Sequence, residues 1–130
     1  MKTPIRYLTS NLTKENALEI KTQLMICFNQ DKIYLDRSLS LRTLAEHLGT
    51  NTKYLSQVIN QTADKNFQSF IHEYRIEEFQ KRLLNGEAQQ YTFYGVAYDC
   101  GFANRSTFYR AFKIITGQTP KEYYHGNRAA

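Results

Sequence analysis

Two sets of polar side chains stand at matching places about fifty residues apart in this chain. The first is Lys53, Ser56 and Gln57; the second is Arg105, Ser106, Thr107, Tyr109 and Arg110. Neither contains a carboxylate. These residue types hydrogen-bond well to base edges: Arg grips guanine through two bonds, Gln grips adenine likewise, and Thr can meet a thymine methyl. The bland alternative is a solvated helix face. One acid-free face would say little, but two at equivalent places of a repeat argue for a shared task.

The repeat itself names the elements that must present them. Leu41-x-x-Leu44-Ala45-x-x-Leu48-Gly49 is followed by a polar turn and Leu55-x-x-Val58-Ile59. Phe93-x-x-Val96-Ala97-x-x-Cys100-Gly101 is followed by a turn and Phe108-x-x-Ala111-Phe112. Each copy reads as a short amphipathic helix, a glycine, a short connection and a second amphipathic helix. That is the plan of a helix-turn-helix, whose second helix can lie in the major groove of DNA. The second helices are expected at about 51–60 and 104–116, with the polar sets outward; Tyr54 and Tyr109 are bulky enough to leave some room for a protein-interaction face instead.

Cap and period signals predict seven helices and no strand. Thr13 caps the first, to about Gln30, with Ala17, Ile20, Leu24, Cys27 and Phe28 as its stripe. A connection from Asp31 to Leu39 tucks Ile33, Tyr34 and Leu35 against the core. Ser40, Asn51, Thr92 and Asn104 cap the second, third, fifth and sixth helices; Gly49 and Gly117 end the second and sixth. The sixth is expected to face inward with Phe108, Ala111, Phe112 and Ile115. Pro120 suits the first turn of a seventh. Thr62 to Asn66 reads as a polar turn before a long helix from about Phe67 to Leu84. At about 100° per residue, Phe70, Ile71 and Tyr74 fall on one side of that helix and Ile76, Phe79 and Leu83 on the other. The long helix therefore reads as a strut between two small cores. The expected fold is all-α: a first lobe over 13–65, a linker helix over 66–86, a second lobe over 87–126 and a tail over 127–130.

Several residues near helix starts, or flanking the second reading set, suit phosphate contacts, because free N–H groups and basic side chains there favour an anion. These are Arg42, Lys65, Asn66, Lys113, Gln118, Thr119 and Lys121. Seventeen Lys and Arg against twelve Asp and Glu give a net charge of +5. That balance favours a polyanionic partner. Ten Tyr and eight Phe supply core material, which argues against disorder. Cys27 and Cys100 read as two small buried thiols, and the three histidines form no ligand spacing, so no metal or cofactor is expected. Glu46-His47 and Asp99-Cys100 are adjacent pairs, which do not face each other on a helix. No catalytic constellation or phosphate-binding loop appears, so an enzyme is not expected. No apolar run approaches the ~18 residues of a membrane span, and the start resembles no signal peptide. The reading is a reduced, cytoplasmic domain with double-stranded DNA as partner and no small-molecule site. The rival is a helical protein-interaction module that no longer reads DNA.

The stretch Gly101-Phe102-Ala103-Asn104-Arg105-Ser106-Thr107-Phe108-Tyr109-Arg110-Ala111-Phe112-Lys113, followed by Thr116-Gly117-Gln118-Thr119-Pro120-Lys121-Glu122-Tyr123, resembles the signature of the AraC/XylS family of bacterial transcription regulators. Leu41 to Ile59 and Phe70-Ile71-His72-Glu73-Tyr74-Arg75-Ile76 match the same pattern, and together the resemblance covers about residues 14 to 124. It implies two helix-turn-helix lobes on a long helix, base-reading places at Lys53, Ser56 and Gln57 and at Arg105, Ser106, Thr107, Tyr109 and Arg110, and RNA polymerase as a further partner. Phe79, Gly95 and Tyr124 depart from the pattern away from the reading faces. Gly95 inside a helix should cost about 1 kcal/mol against alanine. Most members carry a ligand-binding or dimerising region ahead of this module. The segments Lys32 to Asp36 and Leu55 to Asn60 resemble members with large sensor regions, some membrane-bound. The chain is therefore expected to be the output end of a longer parent.

Overall fold

The helices of this chain start where a short polar side chain can take up an orphan backbone N–H. In the computed structural model, which describes residues 12–87 and 91–128, seven α-helices occur among the described residues. They are α1 (Lys14–Asn29), α2 (Leu41–Leu48), α3 (Thr52–Ala63), α4 (Phe67–Leu84), α5 (Phe93–Asp99), α6 (Arg105–Thr116) and α7 (Pro120–Arg128), with a short 3-10 turn at Ile33–Leu35. Each opens on a capping oxygen: Thr13, Ser40, Asn51, Asn66, Thr92, Asn104 and Thr119 accept from the backbone N–H three residues on, at 2.8–3.1 Å. Such a cap is worth about 1 kcal/mol, which fixes a helix start more firmly than helix propensity does. Gly49 closes α2 in the left-handed conformation at φ 73°, where a side chain would be strained.

The chain divides into two compact units. Among the described residues, the first takes those up to Ile33 and Leu39–Phe70; the second takes Tyr34–Ser38 and those from Ile71. In the first, Ile20, Leu24, Cys27 and Phe28 of α1 are buried with Leu44, Ala45 and Leu48 of α2 and Leu55, Val58 and Ile59 of α3. The Phe28 ring packs tilted against Phe70, from the first turn of α4, with centroids 5.0 Å apart. In the second, Ile76, Phe79 and Leu83 of α4 meet Val96, Ala97, Cys100, Phe102, Phe108, Ala111 and Phe112. Phe79 lies 4.8 Å from Phe108 and 5.5 Å from Phe112. Tyr123 of α7 adds an edge-on contact to Phe112. Helix α4 takes part in both cores: Phe70 meets Phe28 of the first, and Ile76, Phe79 and Leu83 are buried in the second.

The second unit also recruits the strap Tyr34–Ser38 from between α1 and α2. Arg75, only 7% exposed, donates through Nε to the Tyr34 carbonyl (2.7 Å) and through Nη2 to the Asp36 carbonyl (2.9 Å). Burial pushes this guanidinium down to about 10, against the pull of Asp36. Arg37 donates to the Tyr98 carbonyl (2.9 Å) and lies 3.7 Å from the centre of the Tyr98 ring. Gly101, at φ 109°, lies so close that a Cβ would overlap the Tyr34 carbonyl oxygen and Arg75 Nε.

The structure corrects the expectations at four places. Helix α3 continues to Ala63 and closes on Asp64 at φ 55°, so the polar turn is shorter than Thr62 to Asn66. Tyr54, one of the two bulky residues that left room for a protein-interaction face, is buried at 3% exposure, because its position on α3 faces the core. Ile115 is 38% exposed, because the last turn of α6 runs past the core that Phe112 completes. Ile71 and Tyr74 do not side with Phe70: both fall in the second unit, where the Tyr74 ring meets Tyr34 of the strap at 5.4 Å.

Candidate nucleic-acid interface

The two helix-turn-helix connections use one backbone device. Thr50 N–H donates to the Ala45 carbonyl (2.9 Å), and Phe102 N–H donates to the Ala97 carbonyl (3.1 Å). Both bonds reach back five residues across a glycine with positive φ, Gly49 in one copy and Gly101 in the other. This turns the chain sharply and brings the next cap, Asn51 or Asn104, into position. The repeat seen in the residues is thus a repeat of backbone geometry.

In the first unit, Leu55, Val58 and Ile59 lie under α3, and Lys53, Ser56 and Gln57 are exposed on its outer face. In the second unit, Phe108, Ala111 and Phe112 lie under α6. Arg105, Ser106, Tyr109, Arg110 and Lys113 are exposed, and Thr107 is half-buried with its hydroxyl 3.3 Å from the Asn104 cap. Neither α3 nor α6 has an acidic residue in its first turn. The N-terminal dipole and its N–H groups are therefore met by no carboxylate of these helices, which favours an external anion. Lys53, Ser56 and Gln57 lie together on one face of α3, whereas the second set spreads over about 200° of the first turns of α6, with Thr107 at its half-buried edge.

The seven residues considered for phosphate contact differ in their surroundings. Arg42 is exposed and 3.9 Å from Glu46 on the next turn of α2. The Lys65 ammonium reaches the Ala63 carbonyl at 3.5 Å, and Asn66 spends its side-chain oxygen capping α4. At α7, Thr119 and Glu122 form a reciprocal cap: Glu122 N–H donates to the Thr119 hydroxyl (3.1 Å), and Thr119 N–H donates to the Glu122 carboxylate (2.8 Å). These bonds hold the Glu122 carboxyl below its usual range, with Lys113 adding to the effect from 4.0 Å. The start of α7 thus already carries one negative charge. Gln118 donates its N–H to the Thr116 hydroxyl, and Lys121 is exposed.

Sequence reasoning missed three side chains of the second unit. Arg75 and Arg37 carry no role in the sequence reading, yet they bind backbone carbonyls. Tyr94 on α5 gave no periodic signal, yet its ring lies 5.3 Å from the Arg105 guanidinium. Cys27 and Cys100 are both buried and not disulfide-bonded, and burial pushes the Cys100 thiol up to about 12. Among the described residues, no group of three His, Cys, Asp or Glu is placed to hold a metal, and no helix is long and apolar enough to cross a membrane.

Comparison with known proteins agrees with this geometry. The family described as "Helix-turn-helix domain" matches residues 44–125. An uncharacterised HTH-type transcriptional regulator of Staphylococcus aureus strain MSSA476 is 32% identical over 99 residues, covering 76% of this chain. The match spans only 13% of the length of that relative. The solved C-terminal domain of the two-component response regulator yesN from Fusobacterium nucleatum is 27% identical, with a TM-score of 0.67 over 80% of this chain and 98% of that one. The C-terminal domain of AraT, a response regulator from Geobacillus stearothermophilus, shares the fold at 23% identity, with a TM-score of 0.70 over 90% of this chain and 88% of that one.

Proposed function

Because the chain belongs to the AraC-type helix-turn-helix family, we propose that it is the DNA-reading part of a transcription regulator, with α3 and α6 entering adjacent segments of one major groove. The observation that carries this reading is the pair of acid-free, exposed N-terminal faces on the second helix of each copy. Lys53, Ser56 and Gln57 on one, and Arg105, Ser106, Thr107, Tyr109 and Arg110 on the other, supply the donors and acceptors that base edges require. Arg42, Lys65, Asn66, Lys113, Gln118, Thr119 and Lys121 are assigned to the sugar-phosphate backbone, where contacts set register rather than sequence. Transcription control further implies contact with RNA polymerase. The small share of the Staphylococcus relative that is matched supports a sensor or dimerisation region in a longer parent chain.

The test is selection of a preferred duplex from a random library, followed by affinity measurement over a salt series. If about six phosphates are neutralised, log affinity falls with log salt at a slope near −5. A flat salt response, or no enrichment of any sequence, would leave the interaction-module alternative as the better account.

A further inference from the structure

Tyr94 has no part in the base-reading assignment, yet it is held with some care. Its hydroxyl donates to the Phe102 carbonyl at 3.2 Å, and its half-buried ring packs against the second core. The ring also tilts against Tyr98 at 6.1 Å. These restraints fix where one face of the ring lies. The Arg105 guanidinium carbon sits 5.3 Å from its centre, inside the range over which a cation is drawn to an aromatic face. Arg105 is the first residue of α6 and is otherwise exposed. A long, rotamer-rich side chain there must be ordered when it binds, and that ordering subtracts from affinity unless it has been done beforehand.

We propose that Tyr94 is a positioning residue for base readout: its ring holds the Arg105 guanidinium at the start of α6 before DNA arrives. The hydroxyl bond to Phe102 ties that ring to the turn of the second copy, so the turn, the ring and the arginine form one preset unit. This inference rests on the assignment of Arg105 as a base contact.

The first measurement needs no DNA. In the free protein, the Arg105 side-chain methylene protons nearest the guanidinium shift upfield under the ring. The shift persists in Tyr94→Phe, which keeps the ring, and vanishes in Tyr94→Leu. Its absence from the unmodified protein overturns the proposal without any variant. The second measurement is the affinity ratio between the preferred and a scrambled duplex. Tyr94→Leu lowers that ratio by about two- to five-fold, the range of an exposed cation–ring contact, and Tyr94→Phe restores it. In an Arg105→Ala background, Tyr94→Leu changes the ratio no further, as a residue acting only through its partner must. If Arg105→Ala by itself leaves the ratio intact, the base contact is wrongly assigned and the role of Tyr94 falls with it. If Arg105→Ala lowers the ratio while Tyr94→Leu does not, or acts equally without Arg105, the base contact stands and positioning by Tyr94 is refuted.

Discussion

Arg105 and Arg110 stand five residues apart on α6, both exposed and both off the face formed by Phe108, Ala111 and Phe112. If they read bases, replacing either by alanine should cost about 1–3 kcal/mol on the preferred duplex and relax discrimination at one or two base pairs. Lys121, beside the acid-capped start of α7, should behave differently: its alanine variant weakens every duplex alike and reduces the salt slope by about one. Binding of the three variants to preferred and scrambled duplexes over a salt series separates the roles, and full discrimination in both arginine variants would sink the assignment. Gly101 makes a second prediction at this scale. Alanine there must adopt φ near 109° and displace either the Tyr34 carbonyl or Arg75, so Gly101→Ala should destabilise the protein by at least about 2 kcal/mol in denaturant unfolding. Neutral stability would mean the strap moves aside freely. The outward residues of α3 and α6 were legible in the sequence because removing the core positions of an amphipathic helix leaves its surface. Arg75 was not. A charge on a helix reads as solvated until something shows which carbonyls it serves, and those come from about forty residues earlier.

The helix α4 contributes Phe70 to one core and Ile76, Phe79 and Leu83 to the other. Phe70→Ala should therefore loosen chiefly the first unit and Leu83→Ala chiefly the second, each by about 2–5 kcal/mol for a buried site. Hydrogen exchange on the two variants shows which amides lose protection; equal losses in both units would contradict the division of labour along the helix. Helix starts were the most legible elements, since a cap is a local device: one Ser, Thr or Asn and the N–H three residues on. The turns were legible for the same reason, through Gly49 and Gly101. The strap was not, because a 3-10 turn and a few irregular residues carry no period, and nothing local tells which core they join. Gly95 shows the limit of propensity reasoning. Alanine is the better helix former by about 1 kcal/mol, but its Cβ would sit 3.1 Å from the hydroxyl of Thr92. That hydroxyl caps α5 through the Gly95 N–H, so the gain from alanine is partly returned.

For the molecule as a whole, if α3 and α6 both read DNA, their dissimilar sequences imply an asymmetric site. Successive turns of the groove lie about 34 Å apart, so a monomer using both helices should protect roughly 20 base pairs without a palindrome. Footprinting a selected duplex checks this, and protection of a single turn would mean that one helix is idle. The repeat was legible because its glycines and apolar spacing recur in register, and it gave the all-α fold and its two second helices. What it concealed is that the two copies are not separable pieces of chain. Tyr34–Ser38 lies between α1 and α2 in sequence yet belongs to the second unit. A genetic crossover that moved residues 71–128 into another gene would carry Arg75 away from the two carbonyls it serves. One that moved residues 12–70 would carry those carbonyls away from Arg75. A buried guanidinium left without acceptors is heavily penalised, so neither half travels well alone. Recombination is expected to pass the two copies on together as one inherited cassette, free to diverge in what they read but not to part.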